Sequence, residues 1–231
     1  MLCKEKMGRF AVTAAFLSLE TVLYYYILTA DGMLAVGSSY TSIVLCFLYA
    51  LSFGKKVDGF VLGGLACTVM ADYFLVVCSP REQLWGMLFF LGAQTLYAIR
   101  LQCARKSRRL LTVRLALIVL IEVITVLVLR EHTDALAVIS VCYYANLLWN
   151  ITEAFVQYRK NRLFAIALVL FLLCDTVIGL QVAADGYLSI VEGSWLHTVL
   201  FMNFPLAWFF YLPSQVLIAL QAGKNRLEVS V

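Results

Sequence analysis

The sequence has little of what a soluble enzyme needs. Only 14% of its 231 residues are charged and 63% are hydrophobic, whereas a soluble domain carries about 25% charge and 45–50% apolar residues. That balance leaves no room for a separate soluble domain. There is no phosphate-cradling glycine loop, no G-x-S-x-G elbow, no H-E-x-x-H and no C-x-x-C, so the common nucleotide, serine-hydrolase, zinc-protease and thiol-redox signatures are missing. The two histidines, His132 and His197, both lie in or beside outer loops, which argues against a histidine-rich metal site. Seven cysteines (Cys3, Cys46, Cys67, Cys78, Cys103, Cys142, Cys174) lack metal-like spacing, and most sit in apolar runs where cysteine acts as a small hydrophobe. Cys3 and Cys103, bordering the basic segments, are the two placed for acylation. Proline occurs three times, never in the first seven apolar runs.

What is present is a series of apolar runs. Lys4, Lys6 and Arg9 ahead of the first run resemble a signal peptide, but residues 10–28 exceed a typical apolar core of 7–15 residues and contain Glu20. They read as an uncleaved first helix. The further spans are 33–53, 59–77, 84–101, 113–129, 135–155, 163–182 and 197–220. Each matches the roughly 20 helical residues that cross a hydrocarbon core of about 30 Å. The expected fold is all-α: a single polytopic membrane bundle over residues 1–231 with eight transmembrane helices.

Charge supports that count. Taken alternately from the N-terminus, the connecting segments hold Lys4, Lys6, Arg9, Lys55, Lys56, Arg100, Arg105, Lys106, Arg108, Arg109, Arg114, Arg159, Lys160, Arg162, Lys224 and Arg226. The other side has only Arg81 and Arg130. A miscounted helix would scramble this asymmetry, so both termini are expected in the cytoplasm. The net charge of +4 is thereby a matter of topology, and no nucleic-acid partner is implied. The expected location is a multi-pass membrane protein, of the cell membrane in a bacterium or the endoplasmic reticulum in a eukaryote. The two longer connections fall at 102–112 and 183–196. Asn150-Ile-Thr152 matches a glycosylation sequon but lies inside the sixth span.

Acids inside the spans are the informative residues. The third span, GFVLGGLACTVMADYFLVV, carries Asp72 on the face of Gly64 and Thr68, beside Gly63, Cys67 and Ala71. That small-residue face is where another helix can approach closely. An aspartate at such depth costs roughly 2.5–3.5 kcal/mol on insertion scales and needs a reason to be there. Asp72 is the fourteenth residue of its span and Asp175 the thirteenth of the seventh. Both helices run outward, so the two carboxyls reach nearly the same depth. Glu20 and Glu122 lie nearer the midplane, while Glu153 is expected to reach water from a helix end. No lysine or arginine is expected deep in any span. Acids desolvated without counter-charge hold their protons more tightly, and a neighbouring acid adds to this. Such a group is a ready proton donor.

Other polar faces recur at helical spacing. Gln94 and Tyr97 continue Gly86 and Phe90; Tyr143, Asn146, Asn150 and Glu153 line one side of the sixth span; Tyr211 and Gln215 stack one turn apart below Trp208. Glu20 with Tyr24 offers a further wall of a polar cavity. Interhelical hydrogen bonding is the alternative for each face.

Four stretches in order, ADYFLVV, LWGMLFFLGAQTLYAIRL, LLCDTVIGL and NFPLAWFFYLPSQVLIAL, resemble the YhhN-like lysoplasmalogenase family of eight-helix membrane proteins. In that family the third helix carries Gly-Asp, the fourth G-x-x-x-F-x-x-x-H-x-x-Y, the seventh an aspartate and the last a tyrosine and glutamine. The matching positions are Ala71-Asp72, Gly86 through Phe90 and Gln94 to Tyr97, Asp175, and Tyr211 with Gln215. Gln94 stands where the family usually has histidine, and Ala71 replaces glycine. The resemblance implies hydrolysis of the sn-1 vinyl-ether bond of a lysophospholipid substrate, releasing a fatty aldehyde and a glycerophospho-base. It makes Asp72 and Asp175 catalytic; beside it, the polar faces make Gln94, Tyr97, Asn146, Tyr211, Gln215 and Glu20 the expected orienting or binding residues, and no cofactor and no metal are expected. A proton-coupled transporter, or a lipid-binding member of the family without chemistry, is the alternative, since unpaired acids also serve proton relays.

Overall fold

A computed structural model describes residues 2–105, 108–129, 134–186 and 193–223, and every regular element among them is helical. The helices are α1 (Leu2–Thr29), α2 (Gly32–Leu51), α3 (Gly59–Asp72), α4 (Gln83–Arg105), α5 (Arg108–Leu129), α6 (Ala135–Val156), α7 (Tyr158–Gly186), the short α8 (Trp195–Leu200) and α9 (Leu206–Gln221). Seven segments are long and apolar enough to cross a membrane, and α9 is a shorter apolar helix. The chain is a multi-pass membrane protein. Lys106, Arg130, His132, Lys224 and Arg226 lie outside the described residues.

Three expectations about chain course change. The last span, 197–220, is not one helix: α8 stops at Leu200 and α9 starts after Pro205. Proline fixes its own φ and biases the preceding residue away from helix, so a break falls there. The third span keeps its length, but after Asp72 the backbone widens to a π-helical turn over Tyr73–Val77. Cys78 N donates to Tyr73 O across that turn at 2.9 Å. The basic stretch 102–112, read as a loop, is helical on both sides, with α4 running to Arg105 and α5 starting at Arg108.

Local chemistry explains several ends. The Asp58 carboxylate caps α3 by accepting from Phe60 N and Val61 N, Asp134 caps α6 through Ala137 N, and Ser194 caps α8 through His197 N. Pro213, inside α9, has no N–H for the Phe209 carbonyl one turn earlier. Tyr24 OH, from α1, donates to that carbonyl at 3.0 Å. A backbone vacancy made by proline thus ties α1 to α9.

The interior is built from α2, α3, α4, α6, α7 and α9, which pack on one another, while α5 makes its main interface with α6. Only 6% of the α5 span is buried, against 39% for α2, α4 and α7. α5 is therefore a lipid-facing outrigger. The small-residue face of α3 does meet another helix: Gly63 lies against Leu96, and Gly64 against the ring of Tyr97, both on α4. A Cβ at Gly64 would overlap that ring, so the close approach depends on glycine. At the end of the bundle where α3 begins, Asp58 pairs with Arg100 at 2.7 Å, and Asp58 N donates to Ala222 O at 2.8 Å. α3, α4 and α9 are fastened together at this point.

Candidate functional site

Asp72 ends the α-helical part of α3, just before the π turn, and is 3% exposed. π-helical turns are rare and often mark functional positions. Tyr211 of α9 donates its hydroxyl to Asp72 Oδ2 at 2.7 Å. On the facing side Tyr143 of α6 donates its hydroxyl to Asp175 Oδ2 of α7. The two carboxyls lie close enough to feel each other's charge, and Cys174 lies within the field of both. Four helices therefore deliver two aspartate–tyrosine pairs to one place.

Aromatic rings hold that place in shape. Phe90 lies 6.0 Å from Tyr143, 6.3 Å from Tyr211 and 5.6 Å from Phe171 between ring centroids. Phe171, one turn before Asp175, lies 5.4 Å from Tyr211, and Trp208 is 5.3 Å from the same ring. Edge-on and tilted contacts of this kind limit how the tyrosines turn. The carboxyls are thus held in an apolar, ring-lined setting, with one hydroxyl assigned to each.

The remaining sequence candidates occupy different stations. Asn146 follows Tyr143 by one turn on α6, and its Oδ1 accepts from Arg114 Nη2 at 2.6 Å. Gln94 turns to the same helix, its Oε1 accepting from Asn150 Nδ2 at 2.9 Å. Tyr97 is buried over Gly64, 5.4 Å from the ring of Phe164. Gln215 is fully buried one turn beyond Tyr211, and neither end of its amide has a hydrogen-bond partner among the described residues. Glu20 is buried elsewhere, between α1 and α2. Ser42 Oγ donates to its Oε2 at 2.6 Å and Cys46 Sγ to its Oε1 at 3.4 Å. Its companion Tyr24 points to α9 instead of sharing a wall with it.

Two sequence expectations are corrected. Glu153 does not reach water: it is 3% exposed, and its Oε2 accepts from Gln102 Nε2 at 3.2 Å. Arg114, counted among the loop bases, is helical and 2% exposed within α5, although it is only the fourth residue of the apolar span Leu111–Val128 and so lies near its end. Position in the chain placed it near the boundary, but the packing of α5 on α6 turns it inward. Tyr143 was visible on the polar face of the sixth span, yet only the fold gives it to Asp175. Phe90 stood in the fourth-span motif, whereas Phe171 carried no signal beyond apolar periodicity. Among the described residues no group of three His, Cys, Asp or Glu is arranged to hold a metal ion.

Comparison with known proteins gives one finding. The model of the YhhN family matches residues 34–222, which is most of the chain and includes every residue of the two aspartate–tyrosine pairs. No curated protein and no solved structure matches.

Proposed function

We propose, from the premise that this chain belongs to the YhhN family, that it hydrolyses the sn-1 vinyl-ether bond of a lysoplasmalogen inside the membrane. Asp72 and Asp175 are the reacting carboxyls. The observation that carries this proposal is their convergence: two acids from separate helices, each with its own tyrosine, lie within electrostatic reach around one cluster of rings, with Phe90 packed on both tyrosines.

The chemistry asks for such a pair. Vinyl ethers resist base and react when a proton adds to the alkenyl carbon remote from oxygen. One carboxyl gives that proton, and the resulting oxocarbenium ion is stabilised by the other, ionised carboxylate. Water then adds to the carbon bearing oxygen and returns a proton to the carboxyl pair. The hemiacetal collapses, the bond between that carbon and the glycerol oxygen breaks, and the glycerol oxygen takes a proton. The balance is one water consumed, one aldehyde and one glycerophospho-base released. Paired carboxyls divide acid and stabilising roles in glycosidases in a comparable way. Tyr143 and Tyr211 hold the carboxyls. Gln215, one turn from Tyr211 with no amide partner among the described residues, is the candidate to orient water or the glycerol end, whereas Asn146, one turn from Tyr143, is bonded to Arg114 and Cys142. Eight passes with both termini cytoplasmic belong to this proposal, as α8, the break and α9 together return the chain to the end where α3 begins.

A second function is favoured by one observation: broken crossings accompany transport in many membrane proteins, and both the π turn after Asp72 and the gap before α9 interrupt helices here. One assay separates the two. Detergent-purified protein is incubated with alkenyl and acyl lysolipids and assayed for free aldehyde. Aldehyde from the alkenyl lipid alone supports the hydrolase, whereas proton flux in liposomes without any product supports a proton-coupled transporter.

A further inference from the structure

The proposed chemistry leaves Arg114 without a task. It lies in α5, the least buried of the long helices, as the fourth residue of the apolar span Leu111–Val128, and is 2% exposed. A guanidinium at such a position is costly and calls for acceptors. Nη2 donates to Asn146 Oδ1 at 2.6 Å and to Asn150 Oδ1 at 3.0 Å. Nη1 is buried with no hydrogen-bond partner among the described residues. Asn150 in turn donates its Nδ2 to Gln94 O at 2.8 Å and to Gln94 Oε1 at 2.9 Å, and Gln94 Nε2 is another buried donor without an acceptor among the described residues. Among the described residues Arg114 makes no ion pair. Glu153 is near enough to be felt electrostatically but supplies no hydrogen bond to it. A fixed cation with free N–H groups, held by amides that orient it, is the composition of an oxyanion site.

We propose that Arg114, framed by Asn146, Asn150 and Gln94, binds the phosphate of a single-chain glycerophospholipid whose ether end lies at Asp72 and Asp175. The placement of the ether end rests on the hydrolase proposal, whereas the anion site stands on the donors themselves. Spacing fits this arrangement. Asn146 and Asn150 follow Tyr143 on one face of α6 by three and seven residues, roughly 4.5 and 10 Å of helical rise. That direction leads toward the end of the bundle where Asp58 meets Arg100. A glycerol and its phosphate cover a gap of this order, and the lipid would then lie with its headgroup toward the basic end and its chain deeper. The seam between α5 and α6 is the natural way in, since α5 has little packing beyond α6.

The test uses full-length protein in detergent and two non-cleavable ligands of equal chain length, a 1-alkyl lysophospholipid and a 1-alkylglycerol. Binding is followed by tryptophan fluorescence, with Trp208 beside Tyr211 as reporter. Wild type is expected to prefer the phosphate-bearing lipid by about 10- to 100-fold, the range of a charge-assisted hydrogen bond. Arg114→Gln should abolish the preference while leaving alkylglycerol binding unchanged, and Arg114→Lys should keep part of it. Equal binding of both ligands by wild type overturns the proposal without reference to any variant. Inorganic phosphate as competitor separates the sources: if it binds while the lipid shows no preference, free phosphate is the ligand and the lipid assignment falls. Aldehyde release is measured independently. A phosphate preference without aldehyde sinks the hydrolase and leaves the anion site, whereas aldehyde release with an unchanged KM in Arg114→Gln sinks the anion site and leaves the hydrolase.

Discussion

Among the acids inside this bundle, Glu20 and the Asp72–Asp175 pair are held in two different ways, and the hydrolase proposal rests on that difference. Glu20 sits between α1 and α2 with Ser42 on one carboxyl oxygen and Cys46 on the other. Both partners come from α2, and among the described residues no second acid acts on it. Asp72 and Asp175 come from different helices, each takes a tyrosine from yet another, and each lies in the other's field. A buried acid is therefore not by itself a mark of function. What the hydrolase proposal requires is two acids within reach of each other's charge, each held by its own tyrosine.

That comparison is broken most directly by the same change made at each centre. Asp72→Asn and Asp175→Asn should each lower aldehyde release from lysoplasmalogen by about 10²- to 10⁴-fold, the usual range for losing general acid–base catalysis, with the elution profile of the purified protein unchanged. Parental rates in either variant would remove the pair from the mechanism. Tyr143→Phe and Tyr211→Phe test the arrangement more finely. Each deletes one hydrogen bond to a carboxyl, worth about 1.5–3 kcal/mol when that partner is charged, so kcat should fall about 10- to 100-fold. If only one of the two tyrosines matters, the two aspartates are not equivalent in use.

Gly64→Ala lies below the centre and acts on packing. Its Cβ would meet the Tyr97 ring, and overpacking of this kind costs about 1–3 kcal/mol. Thermal unfolding in detergent should shift down, with Asp72 disturbed only through the tilt of α3 against α4. Glu20→Gln should do least. An amide can retain one of the two contacts, so stability is expected to change by about 1 kcal/mol and aldehyde release by less than about threefold. A loss there equal to that of Asp72→Asn would erase the distinction between the two centres.

Much of this architecture was legible in the chain. Apolar runs of bilayer length, small residues at four-residue spacing and two acids at matching depth on helices of like direction are properties of single segments, set by hydropathy and helical period. The meeting of α3 with α4 through Gly63 and Gly64 follows from the same local signal. The break before α9 had a cue in Pro205, but two apolar half-helices and one long helix look alike in hydropathy. Arg114 illustrates the opposite limit. Its place in the chain is that of a boundary base, and only the packing of α5 on α6 buries it against Asn146 and Asn150.

What the amino-acid order determined by itself was a membrane bundle carrying acids on interior faces. Which acids meet, that Tyr143 goes to Asp175 and Tyr211 to Asp72, and that Glu20 stays apart were decided by the tertiary structure. The reason is physical. In lipid the hydrophobic effect does not choose among helix partners, so pairing is left to close packing and interhelical hydrogen bonds. Those depend on surfaces far apart in the chain, and no single segment contains them.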